Sequence, residues 1–417
     1  MRKILIVGAG QSGLQLALGL QSQGYEVTLM SNRTADEIRS GRVMSTQCMF
    51  DTALQHERDL QINFWESQAP RIEGLGVSVA APGSHAEPGG SQRAIDWVGK
   101  LDGYAQSVDQ RVKMAGWMET FAQRGGQLVI HGAAVSDLDF FASRYDLTLV
   151  SAGKGELVSM FGRDAARSPY DAPQRALAVA YVHGMGPRPE HPEFDAVRCN
   201  LVPGVGELFV MPTLTTSGRA DILFWEGIPG GPLDAFQDIK DPGEHLAKTL
   251  ELMEQFVPWE YARSTKVELT DANGTLAGRY APTVRNPIGR LPSGGLVLGV
   301  ADVVVANDPI TGQGSNSASK CAAAYLSAIV ERGDQPFDEA WMQGAFDRYW
   351  NTAQHVTKWT NAMLGPPPEH VLNVIGAAGQ LQPVADRFAN GFNDPSDFEN
   401  FFYDPDKANA YLASLTS

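Results

Sequence analysis

The chain opens on a turn that leaves few folds available to it. Residues Lys3 to Val7 (KILIV) make a short apolar, β-branched run. It breaks directly into Gly8-Ala9-Gly10-Gln11-Ser12-Gly13, and the helical pattern of Leu14, Ala17 and Leu18 follows with no spacer. Strand, glycine turn and helix start, in that order, are the context in which G-x-G-x-x-G holds a dinucleotide. The first glycine permits the tight turn, the second lets backbone approach a pyrophosphate, and the third lets helix and strand pack closely. Amides at the helix start, together with its positive dipole end, favour a phosphate there.

At 417 residues the chain has room for two or three domains with cores of their own. A net charge of −15 argues against nucleic acid or an anionic membrane surface as partner and serves solubility instead. Cys48, Cys199 and Cys321 are too far apart for a metal pattern or a disulfide framework, so no metal and a reducing cytoplasm are expected. The first apolar run stops at Gly8 after about five residues, short of a signal h-region. No apolar run approaches the roughly 20 residues of a membrane span.

Along the chain, the first helix is expected to end near Gly24, a good C-cap residue, and Tyr25 to Met30 reads as the second strand. An acid usually ends this strand and holds ribose hydroxyls. Here Asn32 and Arg33 stand at that end. Asn32 can replace the acid's hydrogen bonds, and Arg33 can face the adenine or a phosphate, so the position does not choose the nucleotide. Arg42 is either a phosphate contact or a solvated charge. Residues 40–57 run toward a helix, Ala81 to Gly90 is a Pro/Gly-rich mobile loop, and Val108 to Gln123 is helical. Leu128 to Ile130 and Asp146 to Ala152 read as strands, the second ending in Gly153-Lys154-Gly155. From about Glu156 to Pro282 short alternating runs predict a mostly antiparallel sheet, including Ala176–Val182, Gly206–Met211 and Ala220–Trp225.

The nucleotide pattern then returns. The run Leu296 to Gly299 leads into Asp302, and Asp308-Pro309-Ile310-Thr311-Gly312-Gln313-Gly314 precedes a helix. On that helix Ala318, Cys321, Ala322, Tyr325, Leu326 and Ile329 share a face, which makes Cys321 core rather than nucleophile. The rest, after Gly333, is helical with a break at Pro366-Pro367-Pro368.

GAGQSG, DLTLVSAGKG and GVAD…DPITGQG, in this order, resemble the flavoprotein monooxygenases of the para-hydroxybenzoate hydroxylase fold. The resemblance implies an α/β protein: a Rossmann-like FAD-binding domain, a mostly antiparallel β-sheet substrate domain and a helical C-terminus. The expected division is 1–50, 100–155 and 283–335 for FAD, 51–99 and 156–282 for substrate, and 336–417 for the helical region. Asp302 matches the acid that binds the ribityl chain. The amides of Gly312, Gln313 and Gly314 would face the flavin ring, with Pro309 and Asn316 beside it. Gly8, Gly10, Gln11, Ser12, Gly13, Asn32, Arg33, Arg42 and Arg111 complete the expected FAD contacts. Arg111 could equally pair with a carboxylate on its own helix.

The segments SPYDAPQRALAV (168–179), GELFVMPTL (206–214), DPITGQGSNSAS (308–319) and KWTN (358–361) are similar to the styrene and indole monooxygenases. These are two-component FAD-dependent epoxidases, in which an NAD(P)H-dependent flavin reductase supplies reduced FAD. Styrene members carry Asn-x-Val-x-His after the Arg42 position, and indole members carry Ser-x-Gln-x-Met. Ser45-Thr46-Gln47-Cys48-Met49 has the indole form, and Ala105 matches the indole type at a later position. Val77 and Val79 lie near two further sorting positions. The implied substrate pocket is Ser45, Gln47, Met49, Ala105, Met211 and Pro309, with no acid–base side chain clearly required. The implied reaction is epoxidation of indole, leading to indoxyl and indigo, or of styrene, through a flavin C4a-hydroperoxide. A homodimer is left open. The alternatives are a self-sufficient NAD(P)H-dependent aromatic hydroxylase, a flavin halogenase suggested by Phe224-Trp225-Glu226-Gly227-Ile228-Pro229, and a non-enzymatic flavin carrier.

Overall fold

A computed structural model describes residues 2–86, 90–152 and 155–416. The glycine turn sits where the sequence puts it, between β1 (Lys3–Val7) and α1 (Gln11–Ser22), with β2 (Glu26–Ser31) after a Gly24 held at φ 81°. Next come α2 (Ala35–Arg39), α3 (Asp51–Asp59) and the long strands β3 (Ile72–Ala80) and β4 (Arg93–Ala105). Glu87 to Gly89 of the expected loop lie outside the described residues. The chain returns through α4 (Gln110–Gln123), β5 (Gln127–Ile130), α5 (Val135–Ala142) and β6 (Leu147–Val150). Gly153 and Lys154, after β6, are also outside the described residues.

The antiparallel expectation is met by β7 (Ala176–His183), β8 (Asp195–Val202), β9 (Gly206–Thr215) and β10 (Gly218–Gly227). Alternation alone missed α6 (Pro242–Phe256) and α7 (Pro258–Tyr261), which stand in the same stretch. Asp241 caps α6 by accepting from the Glu244 amide, and Pro242 fits its first turn. Short strands β11 (Glu268–Leu269), β12 (Thr275–Gly278), β13 (Thr283–Val284), β14 (Ile288–Arg290), β15 (Leu296–Gly299) and β16 (Val305–Ala306) follow. The chain ends in α8 (Gly314–Arg332), α9 (Glu339–Met363), α10 (Glu369–Ala377), α11 (Gln382–Asn390), α12 (Phe398–Phe401) and α13 (Pro405–Ser414).

Two sheets carry this order. One runs β14-β15-β6-β1-β2-β5, with every pair parallel except β14–β15. Its strands are apolar on both faces, as α1, α4 and α8 require, and their side chains form one core with α9. The other runs β11-β7-β10-β9-β8-β3-β4, with β12 also on β7. It is antiparallel except for β3–β8. Strand β4 runs unbroken across residue 100, so the division drawn there falls inside a strand, and α4 is where the chain rejoins the first sheet.

The second sheet is covered on both sides. Leu252, Met253 and Phe256 of α6 close one face over Ala180, Leu208 and Trp225. The other face packs Trp97, Val197, Phe209, Met211 and Phe224 against Val374, Phe388 and Phe398 of the C-terminal helices. Contact there is close: a side chain at Gly99 would lie 2.1 Å from the Ala385 carbonyl oxygen. Among the described residues, no helix is long and apolar enough to cross a membrane.

Candidate active site

The turn after β1 is shaped by what its glycines exclude. A Cβ on Gly13 would lie 2.0 Å from the Gly8 carbonyl oxygen, and one on Gly8 would lie 2.7 Å from the Ala152 nitrogen. Gly10 is different, because a Cβ there meets nothing within 4 Å. The open side of the turn is therefore at Gly10, where a pyrophosphate would pass. Helix α1 has no side-chain cap and no acid in its first turn, so its first amides remain for an anion. The side chains of the turn point elsewhere. Gln11 Nε2 donates to Gln15 (3.1 Å) and to Glu57 (3.0 Å), and Glu57 is held by Lys113 at 2.7 Å. Ser12 and Ser151 hydroxyls meet at 2.8 Å. Gln11 and Ser12 thus offer backbone, not side chain, to a dinucleotide.

At the end of β2, Asn32 is exposed, and the Arg33 guanidinium donates to the Met44 sulfur at 2.8 Å. Arg42 is exposed and lines a small cavity with Phe236, Lys240 and His245 of the α6 side; no residue of the Gly8–Gly13 turn lines it. Arg111 is buried and spoken for. Its guanidinium binds Asp109 (2.9 Å) and takes both oxygens of Asp271 (3.0 Å each). Burial works against that charge, yet Asp271 and Asp109 hold it above its ordinary value. Of the two roles open to Arg111 in the sequence, this geometry realises carboxylate pairing, with a second carboxylate 160 residues away.

The second glycine turn leads into α8, which packs on α1. Asp302 lies in a short 3-10 turn, Ala301–Val303, beyond β15. Ala301 has φ 51°, a left-handed conformation that a non-glycine adopts only when held there. Its amide donates to the Cys321 sulfur at 3.3 Å, and burial pushes that thiol's pKa up. Cys321 is core, as expected, and it also fixes the loop that presents Asp302.

Asp308 caps the next short turn, Pro309–Thr311, by accepting from the Ile310 amide. Gly312 follows at φ 62°. Side chains added at Gly312 or Gly314 would meet nothing within 4 Å, so space lies beside this turn as it does at Gly10. Helix α8 has neither a side-chain cap nor an acid in its first turn. Gln313 Nε2 donates to Thr311 and Phe392 carbonyls, and Thr311 is tied to Thr360 of α9 at 2.7 Å. Two uncapped helix starts with open glycines fit the two ends of a flavin dinucleotide.

Asn316 turns away from that space. Its amide accepts from the Phe50 N–H (2.8 Å) and donates to the carbonyls of Cys48 (2.8 Å) and Gly312 (3.2 Å). It therefore joins the Ser45–Met49 segment to the second glycine turn. Met49 also pairs its backbone with Gln106, next to Ala105.

The expected pocket residues do not all share one cluster. Ala105 and Met211 pack with Cys48, Phe50 and Ile310 under the C-terminal helices. Met49 instead packs on Ala53 and Leu54. Pro309 is half-buried. The Ser45 carbonyl accepts from the buried Tyr181 hydroxyl. Gln47 is 4% exposed, and among the described residues no hydrogen-bond partner reaches its Oε1 or its Nε2.

Residues 153–263 match the family described as "Styrene monooxygenase A putative substrate binding domain". Over 416 residues the chain is 30% identical to styrene monooxygenase StyA of Pseudomonas fluorescens, covering 97% of this chain and 96% of the relative. The chain belongs to the styrene monooxygenase family. A StyA from Pseudomonas sp is likewise 30% identical over 424 residues, covering 99% and 98%. Among solved structures, the flavin-dependent brominase Bmp2 shares the fold with a TM-score of 0.70 at 13% identity, covering 99% and 98%. The architecture is thus the para-hydroxybenzoate hydroxylase type expected for the styrene monooxygenase family.

Several site features escaped the sequence. Glu226 of β10 is fully buried, and Glu207 stands opposite it on β9. Arg175 grips Glu207 through two bonds of 2.8 and 3.0 Å. Asp308 is buried beside Glu226, and burial pushes its carboxyl up to about 6. In a strand, Glu226 reads as an outward polar residue. Only its burial and its neighbours reveal otherwise.

Proposed function

We propose that this chain is the oxygenase component of a two-component flavin monooxygenase. It would use FAD reduced by a separate NAD(P)H-dependent reductase to epoxidise indole, whose product leads to indoxyl and indigo. FAD, when bound and reduced, supplies the activation of O2 and the oxygen atom delivered to the alkene. The amides of Gln11, Ser12 and Gly13 would hold the pyrophosphate, and Asp302 the sugar-alcohol hydroxyls. Asn32 and Arg33 lie toward the adenosine end. The amides at Gly312–Gly314 would orient the ring, and the C-terminal helices exclude water from the apolar face carrying Ala105 and Met211.

The observation that carries the indole reading is Gln47. A buried amide with both atoms unpaired costs about 1–3 kcal/mol, which a hydrogen-bonding ligand removes. Indole offers an N–H to Oε1; styrene offers none. The Ser45, Gln47 and Met49 pattern supports the same substrate.

A second reading, styrene epoxidation as the main role, is favoured by the named activity of the two relatives. The test supplies purified protein with a flavin reductase, NADH, FAD and equal indole and styrene. The indole reading expects blue pigment with styrene oxide as the minor product. Styrene oxide as the dominant product overturns it, and NADH oxidation without the reductase overturns the two-component reading.

A further inference from the structure

Three buried carboxyls meet one guanidinium behind the second glycine turn. Arg175 is taken by Glu207. Among the described residues, Glu226, 0% exposed, has no amide, guanidinium or hydroxyl donor on either oxygen. Its neighbour is the carboxyl of Asp308, itself 3% exposed, which makes a charge on Glu226 still more costly. Ionised carboxylates only accept, so the two can hydrogen-bond only with a proton on one of them. The remaining titratable groups facing the pair are Tyr280, whose hydroxyl donates to the Asn307 carbonyl, and Asp302 beyond it. Neither places a cation on Glu226.

Asp308 is also the cap of the turn that leads to Gly312. We propose that Glu226 is a positioning residue: one proton shared between its carboxyl and that of Asp308 fixes the Pro309–Gly314 turn against β10, and with it the seat of the flavin ring. This rests on the flavin reading above. Burial holds Glu226 protonated well above the ordinary carboxylate range, and Asp308 and Glu207 add to that effect. The sign follows. A carboxyl whose folded pKa is raised contributes at low pH, and the contribution is lost as pH rises through the raised value. The proton then leaves to solvent, and two buried charges repel beside a cofactor that is itself anionic.

The test compares wild type, Glu226→Gln and Glu226→Leu by anaerobic titration with dithionite-reduced FAD, followed by fluorescence from about pH 6 to 9.5. The carboxamide introduced by Glu226→Gln would be a permanent donor to Asp308. This variant is therefore expected to match wild type near neutrality and to keep its affinity where wild type loses about tenfold or more. Glu226→Leu, without a donor, is expected to bind at least about tenfold more weakly at every pH. The same pH profile in Glu226→Gln and wild type overturns the proposal, as does wild-type affinity in Glu226→Leu. Melting of the FAD-free proteins is a second readout. Wild type should lose Tm relative to Glu226→Gln as pH rises, and parallel curves overturn the shared proton. If wild type binds no FAD while the melts diverge, the flavin reading fails and the carboxyl pair stands.

Discussion

Gly10 and Gly13 of the first turn separate folding from binding, and alanine at each tests that division. At Gly13 the new Cβ would sit 2.0 Å from the Gly8 carbonyl oxygen and 3.2 Å from the Ser151 hydroxyl. The first contact is with backbone, so β1 and α1 must part by about 1 Å to restore a tolerable separation. Overpacking of this kind costs about 1–3 kcal/mol. At about 2–4 °C of Tm per kcal/mol for mid-sized domains, Gly13→Ala should melt roughly 2–12 °C below wild type without cofactor. At Gly10 the Cβ meets nothing within 4 Å, and the backbone (φ −87°, ψ −172°) is extended and open to alanine. The lower entropy of the unfolded chain offsets alanine's poorer capping, so the Tm of Gly10→Ala should stay within about 2 °C of wild type. Its FAD affinity should fall by about tenfold or more, because the methyl occupies the space left for the pyrophosphate. Differential scanning fluorimetry gives the first quantity and FAD titration the second. Wild-type FAD affinity in Gly10→Ala, or a wild-type Tm in Gly13→Ala, refutes the reasoning.

Other perturbations address the rest of the site. Gln47→Leu should lower the ratio of indole to styrene kcat/KM by about 5- to 100-fold, because the lost amide serves only the substrate with an N–H; an unchanged ratio in competition assays removes Gln47 from recognition. Asp302→Ala should weaken FAD binding by about tenfold or more, read by titration, since sugar hydroxyls lose their acceptor. Lys113→Met strands the fully buried Glu57 and should destabilise by about 3–5 kcal/mol in urea unfolding, whereas adding Glu57→Leu should restore much of it. The acid limb of stability should depend on Asp271. Burial opposes its ionisation, but the Arg111 fork holds its pKa below the usual range. Its contribution is present above the unfolded value and lost as pH falls through the lowered one, so Tm should drop less steeply in Asp271→Asn below about pH 4.

What could be read from the sequence was local. Lys3 to Gly13 and Asp308 to Gly314 announce themselves because strand, turn and helix signals fall within one short window, and both turns lie where expected. Helix α6 carried a usable signal in His245, Thr249, Leu252, Met253 and Phe256 at helical spacing, but the alternating runs around it drew the whole stretch toward sheet. Arg111 illustrates the harder limit. Asp109 is two residues away and visible; Asp271 reaches it only through the fold. Glu226 is harder still. Nothing in Phe224-Trp225-Glu226 distinguishes a solvated carboxylate from one buried without a cation.

Asn316 has a practical consequence for anyone reshaping this enzyme. One carboxamide fastens Cys48 and Phe50 to Gly312. On the function proposed above, redesigning Ser45–Met49 for another substrate would tug on the turn proposed to seat the flavin, and selectivity and flavin grip would drift together in directed evolution unless that crosslink is left intact.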